Sequence, residues 1–102
     1  MLQLRPNCEY CDKDLPPEAE DARICSYECT FCAECVRDRL DDVCPNCGGG
    51  FVPRPIRPRG EHRPGVSRAR QPPSNERVRL KWDLSTLNQF IERVRNIPPA
   101  ER

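Results

Sequence analysis

The chain has 102 residues, 8 of them cysteine and 12 proline, with 32% charged side chains and a formal net charge of +1. That size admits one small domain with appendages, and no apolar stretch approaches the ~20 residues that a membrane-crossing helix needs. The near-neutral total hides a split, because residues 1–47 carry a net −6 and residues 48–102 a net +7.

The opening Met1-Leu2-Gln3-Leu4-Arg5-Pro6 lacks a basic stretch followed by an apolar run, which predicts no signal peptide and a cytoplasmic, reducing setting. All cysteines then fall between residues 8 and 47, as Cys8-x2-Cys11, Cys25-x3-Cys29, Cys32-x2-Cys35 and Cys44-x2-Cys47. In that setting such pairs are read as zinc ligands rather than as disulfides or an iron cluster, and eight thiolates predict two Zn2+ ions. Two thiolates two residues apart sit on one tight turn, whose backbone amides point at the sulfurs and disperse their charge. Two such pairs close a site, and a site without an open position is structural rather than catalytic.

The segment is also too short for apolar burial alone to hold it, so metal is the expected staple. Its candidate core is Leu4, Tyr10, Leu15, Ile24, Phe31, Val36, Leu40, Val43 and Phe51. The single histidine, His62, lies in a proline-rich stretch and is read as a solvated linker residue. Four pairs can form two sites sequentially, nested or interleaved, and spacing does not choose among the three.

The pattern Cys-x2-Cys, a gap of 13, Cys-x3-Cys-x2-Cys-x2-Cys, a gap of 8 and Cys-Pro-x-Cys resembles the RING finger, with Cys29 where that family most often has histidine. Leu15, Phe31, Val36, Leu40 and Pro45 also fall at matching places. The resemblance implies a small zinc-stabilised α+β fold, a RING-like cross-brace module with two four-cysteine zinc sites: Cys8, Cys11, Cys32 and Cys35 for one ion, and Cys25, Cys29, Cys44 and Cys47 for the other. It further implies a short hairpin around residues 22–31, a short helix near residues 33–42 and a second cysteine turn at residues 44–48. Gly48 to Gly50 offer the positive φ that the exit from such a turn needs, or a flexible exit from the domain.

The runs Leu2 to Cys11, Arg23 to Cys32 and Asn46 to Pro55 are similar to a family of small bacterial cysteine-rich proteins of unknown function, across roughly residues 1–58. That likeness implies a bacterial, cytoplasmic protein and brings no mechanism with it.

The zinc-binding domain is placed at residues 1–52. From Pro53 to Ser74 there are six prolines and six arginines against one acid, Glu61. Such a stretch buries too little to fold, which predicts a disordered Pro/Arg-rich linker over residues 53–76. Residues 77–97 form the last segment, in which Asp83 caps a helix running to about Asn96. Leu84, Leu87, Ile91 and Val94 recur at helical steps with Phe90 beside them, and Pro98-Pro99 ends the pattern. A helix of that length is unstable alone in water, so it covers the zinc module or docks elsewhere.

The favoured reading is a non-enzymatic zinc module that binds a protein partner, with the terminal helix as a second contact surface and no membrane association. Two zinc-thiolate centres would bring residues 1–47 to about −10 by formal count, so any nucleic-acid association would fall to the arginines of the tail. Their simpler role is attraction to the acidic half of the same chain. The RING resemblance also raises ubiquitin-ligase-like activity, for which Tyr10 and Pro45 match. Arg39 stands near the place where tryptophan is frequent, with Leu40 beside it, and Gly48 replaces the usual basic residue. Thiol redox sensing is a further alternative. Glu18, Glu20, Asp21, Asp41 and Asp42 read as solvated charges, with no catalytic constellation around them.

Overall fold

Residues 22–32 set the frame. The computed structural model describes residues 1–102, and in it Ala22–Ile24 (β1) and Thr30–Cys32 (β2) form an antiparallel hairpin with Arg23 opposite Phe31. Val52–Pro53 (β3) adds to the other edge, giving a three-stranded sheet of order β2-β1-β3. Ala22 and Ile24 point inward on either side of Arg23, the period-2 alternation of a half-buried strand. Phe31 is fully buried and meets Phe51 edge-on, with ring centroids 5.4 Å apart.

The helix α1, Ala33–Asp38, leaves directly from β2, with Cys32 as its N-cap. It stops before Asp42, where the sequence predicts its end. The amides of both Arg39 and Leu40 bond to the Cys35 carbonyl, and Asp41 and Asp42 take φ values of 47° and 59°. Aspartate tolerates this left-handed region better than most residues. The turn lets the Asp42 carboxylate accept the Phe51 amide at 3.0 Å. Leu4, Leu15, Ile24, Phe31, Leu40 and Val43 are buried as expected, while Tyr10, Val36 and Phe51 are half-buried at the edge of the core.

Residues 53–76 differ from the free linker that composition predicts. Pro53 belongs to β3, and the Arg54 amide continues the pairing by donating to the Ala22 carbonyl at 2.9 Å. The Arg54 side chain is buried, donating to the carbonyls of Arg5 (2.8 Å), Leu15 (3.2 Å) and Pro16 (2.8 Å). Arg57 bonds the carbonyls of Leu2 and Gln71, each at 2.6 Å, and the Ser74 amide reaches the Gln3 carbonyl at 2.8 Å. Apolar burial is what the stretch lacks; guanidinium-to-carbonyl bonds lay it along the module instead.

Asn7 pairs with Val78 in both directions, its Nδ2 donating to the Val78 carbonyl (2.9 Å) and its Oδ1 accepting the Val78 amide (3.2 Å). The buried carboxamide thus stands in for a strand edge. The helix α2, Leu84–Val94, follows with Asp83 as N-cap, its carboxylate accepting the Thr86 amide at 2.8 Å. Leu87 and Ile91 are buried in the same cluster as Phe31, Leu40, Val43 and most of the cysteines, with Phe90 and Val94 packed against it. The helix therefore covers the cysteine module. Leu84, first on the expected apolar face, stays exposed.

Candidate metal centre

The first cluster joins a loop to a helix start. The amide of Cys8 donates to the Lys13 carbonyl and that of Asp12 to the Cys8 carbonyl, folding Cys8 to Cys11 into a tight turn closed by Asp12 at φ 64°. Cys32 and Cys35 sit at the N-cap and in the first turn of α1. The four sulfurs of Cys8, Cys11, Cys32 and Cys35 lie within 4.8 Å of one another, and those of Cys11 and Cys32 are 3.9 Å apart. A tetrahedron with metal–sulfur bonds of about 2.3 Å has edges of about 3.8 Å, so this cluster is already close to the size of a filled site. The amides of Cys11 and Cys35 donate to Cys8 Sγ and Cys32 Sγ, each at 3.5 Å, as the turn argument requires.

The second cluster joins the hairpin turn to the last pair. Cys25, Cys44 and Cys47 also hold their sulfurs within 4.8 Å of one another. Cys29 lies against Cys44 and Cys25 and outside the circle those three share. Tyr27 N donates to Cys25 Sγ at 3.3 Å and Gly49 N to Cys47 Sγ at 3.4 Å. Gly48 takes φ 79°, and the glycines beside it do not need positive φ. The pairs are interleaved: the turn holding Cys8 meets the pair after β2, and the turn after β1 meets the last pair.

Burial and mutual hydrogen bonds set the thiols of each cluster apart. Burial pushes Cys8 and Cys25 up to about 11 and Cys35 higher still, while Cys44 is raised first by its hydrogen bond with Cys29 and then by burial. Cys29 is drawn down to about 5, chiefly by its hydrogen bond with Cys44, with the Asn46 amide and Cys25 assisting. Cys11 is lowered although burial opposes it, because the Lys13 amide and three neighbouring cysteines hydrogen-bond its sulfur. A soft or borderline divalent cation is what such a donor set fits.

Several polar residues escaped the sequence reading. Glu9, inside the first pair, is buried; its Oε2 accepts the Thr30 amide at 2.8 Å and Arg5 Nη1 at 3.0 Å, and burial raises its pKa. Asn46, inside the last pair, donates to Glu9 Oε1 at 3.3 Å and accepts Trp82 Nε1 at 3.0 Å. Arg54 is unremarked in sequence because it is one arginine in an arginine-rich run. Position between two ligands is the only sequence signal that Glu9 and Asn46 carry. Elsewhere, Arg68 pairs with Glu18, Arg77 with Asp12 and Asp14, Arg79 with Asp12 and Arg95 with Asp41. His62, Glu18, Glu20 and Asp41 are exposed, and Asp21 pairs with Lys13.

The fold and the two sulfur clusters define a small cysteine-rich α+β module that could hold metal ions. Residues 1–57 match the family described as "Protein of unknown function (DUF1272)", and the chain belongs to that family. Over 58 residues it is 64% identical to uncharacterized protein R02474 of Rhizobium meliloti (strain 1021), a match that covers 57% of this chain and 69% of the relative. No solved structure matches the chain. No helix is long and apolar enough to cross a membrane.

Proposed function

We propose that the protein is a non-enzymatic, cytoplasmic module in which two Zn2+ ions brace a RING-like fold that presents a surface to a protein partner. Cys8, Cys11, Cys32 and Cys35 bind one ion, and Cys25, Cys29, Cys44 and Cys47 bind the other. The observation that carries this is the interleaving of two all-cysteine clusters around one core. Zinc is the cation that four thiolates in a tetrahedron suit best, and a site closed by protein ligands leaves no position for a substrate.

The partner surface lies beside the second cluster. Trp82, 44% exposed, lines a groove of about 180 Å³ with Pro45, Leu87 and Phe90, and Tyr27, 72% exposed, borders a neighbouring hollow with Cys29, Asn46 and Cys47. Exposed aromatic rings beside a rigid apolar groove are favourable material for a protein contact. From α2, Leu87 and Phe90 line that groove, while Ile91 is buried against its own module. Pro45, the residue that resembles a conjugating-enzyme contact, is buried beside Trp82 and Phe90, which disfavours the ubiquitin-ligase reading. The arginines paired with Glu18, Asp12, Asp14 and Asp41 likewise favour attraction within the chain over phosphate binding.

Metal analysis with native mass spectrometry tests the first half: two zinc ions per chain are expected, with loss of the near-ultraviolet circular dichroism when a chelator removes them. A chain that keeps its tertiary signal without metal refutes the structural role. Affinity purification with the full chain tests the second half, and Tyr27→Ala with Trp82→Ala should lose the dominant partner. An unchanged partner set places recognition elsewhere.

A further inference from the structure

We propose that the segment from Trp82 to Arg102 clamps the last cysteine turn, so that metal retention at the second cluster and docking of α2 are one coupled step, with Asn46 as the positioning residue between them. This rests on the reading that both clusters hold metal.

The turn from Cys44 to Gly48 closes on itself, Gly48 N donating to the Cys44 carbonyl and Cys44 N to the Gly49 carbonyl, each at 2.8 Å. Its non-ligand residues are held by the C-terminal segment. Pro45 packs in the groove with Trp82, Leu87 and Phe90. Asn46 Oδ1 accepts Trp82 Nε1. Gly48 packs against Phe90, where a Cβ would stand at an ordinary contact distance of 3.4 Å from Cζ, and its carbonyl accepts Arg102 Nη1 at 3.2 Å. The same guanidinium nitrogen bonds the Asp42 carbonyl at 2.8 Å, tying the cysteine turn to the left-handed turn that follows α1.

The orientation of Asn46 is fixed by its partners. Indole N–H can only donate and a carboxylate only accepts, so the amide oxygen must face Trp82 and the NH2 must face Glu9. Asn46 also lines one surface hollow with Cys29, Tyr27 and Cys47, and Cys29 is the cysteine of this cluster whose sulfur is not within 4.8 Å of all of Cys25, Cys44 and Cys47. Filling the second site therefore requires Cys29 to be held toward the other three. Asn46 is the side chain that lies beside Cys29 and bonds the C-terminal segment. The first cluster has no such dependence, since residues 77–79 bond Asn7, Asp12 and Asp14 rather than a group on its sulfurs. Coupling is reciprocal: whatever factor the docked helix adds to metal affinity at the second cluster, metal adds to helix docking.

The test loads the full chain with cadmium-113 and assigns each ion by its scalar coupling to cysteine β-protons. Release to excess chelator is then followed ion by ion. The single tryptophan, Trp82, supplies an independent readout, because undocking exposes it and shifts its emission. In the unaltered chain the emission should shift at the rate at which the second ion leaves. Asn46→Ala, and the milder Trp82→Phe that keeps an aromatic ring without the indole N–H, should speed release from the second cluster by about ten- to a hundredfold, as loss of an outer-shell partner does. The first ion should leave at its original rate, which also reports that the module remains folded. Equal release in variants and parent overturns the coupling and leaves the two-metal reading standing, as does equal acceleration of both ions. A single cadmium signal in the unaltered chain removes the two-metal reading and the coupling together.

Discussion

Arg54 holds the irregular segment to the first cysteine turn, and replacing it with methionine tests whether that anchoring is real. The guanidinium-bearing residue is 5% exposed, donates to three carbonyls and has one buried nitrogen, Nε, without a partner. Methionine keeps the apolar stem and removes every donor. The Leu15 carbonyl, whose bond to Arg54 is fully buried, is then stranded at about 1–3 kcal/mol. The half-buried bonds to Arg5 and Pro16 leave carbonyls that can recover water, forfeiting about 1 kcal/mol each. Relief of the buried, partly unsatisfied cation returns some of this. The net expectation is a loss of about 2–4 kcal/mol. Because folding is linked to metal, unfolding in urea must be compared at one buffered free-metal concentration. With a slope of about 1–1.5 kcal/mol/M for a chain of this size, the midpoint should fall by roughly 2 M. Arg54→Lys should recover only part, since one ammonium cannot span three divergent carbonyls as a planar fork does. A midpoint within about 0.3 M of the parent for Arg54→Met would falsify the anchoring role.

Cys25→Ser and Cys32→Ser should each lose cooperative tertiary structure, and because the two belong to different clusters, each should abolish a different cadmium-113 signal first. Loss of the same signal in both variants would contradict the interleaved grouping. Leu87→Ala, at a fully buried position of α2, should cost about 3 kcal/mol, whereas Leu84→Ala on the exposed start of the same helix should cost under about 0.5 kcal/mol. Equal midpoints for these two in denaturant would mean that α2 does not dock as described. Gly48→Ala should destabilise by about 1–2 kcal/mol through its left-handed backbone, since its nearest contact would be an ordinary 3.4 Å approach to Phe90. The same substitution at Gly65, also at positive φ but with nothing near it, separates backbone strain from packing.

What the sequence made legible was whatever repeats or alternates. Pairs of cysteines announce turns because their spacing is the turn, and the hairpin is expected from the likeness to the RING pattern; β1 alternates in burial, but β2 is buried throughout. Asp83 was readable as a cap because an acid followed by leucines at three- and four-residue steps has few other readings. The illegible part is polar and singular. Asn7, Glu9, Asn46 and Arg54 each act by a few bonds to backbone or side chain far along the chain, and no periodicity records such a bond. Residues 53–76 differ from expectation for the same reason, since a composition argument weighs apolar surface and is blind to guanidinium bonds to carbonyls. The end of α1 moved because Leu40 closes onto Cys35 and leaves Asp41 and Asp42 in a left-handed turn, a preference that propensity alone does not express.

The charge split between the two halves of the chain suggests that attraction holds the basic tail in place, but the contacts divide into kinds with different physics. Arg77, Arg79 and Arg95 meet carboxylates in exposed pairs, which are worth little and weaken within a Debye length of about 8 Å at physiological salt. Arg54, Arg57 and Arg102 meet carbonyls, and Leu87 and Ile91 are buried, none of which depends on the net charge of the partner surface. Docking of the tail should therefore persist as salt rises from about 0.05 to 1 M, even though the Debye length shrinks to about 3 Å. Trp82 emission in that titration checks it. A red shift that tracks ionic strength would assign the docking to the carboxylate pairs, and would make the groove beside the second cluster a surface that opens and closes with salt rather than a standing feature of the fold.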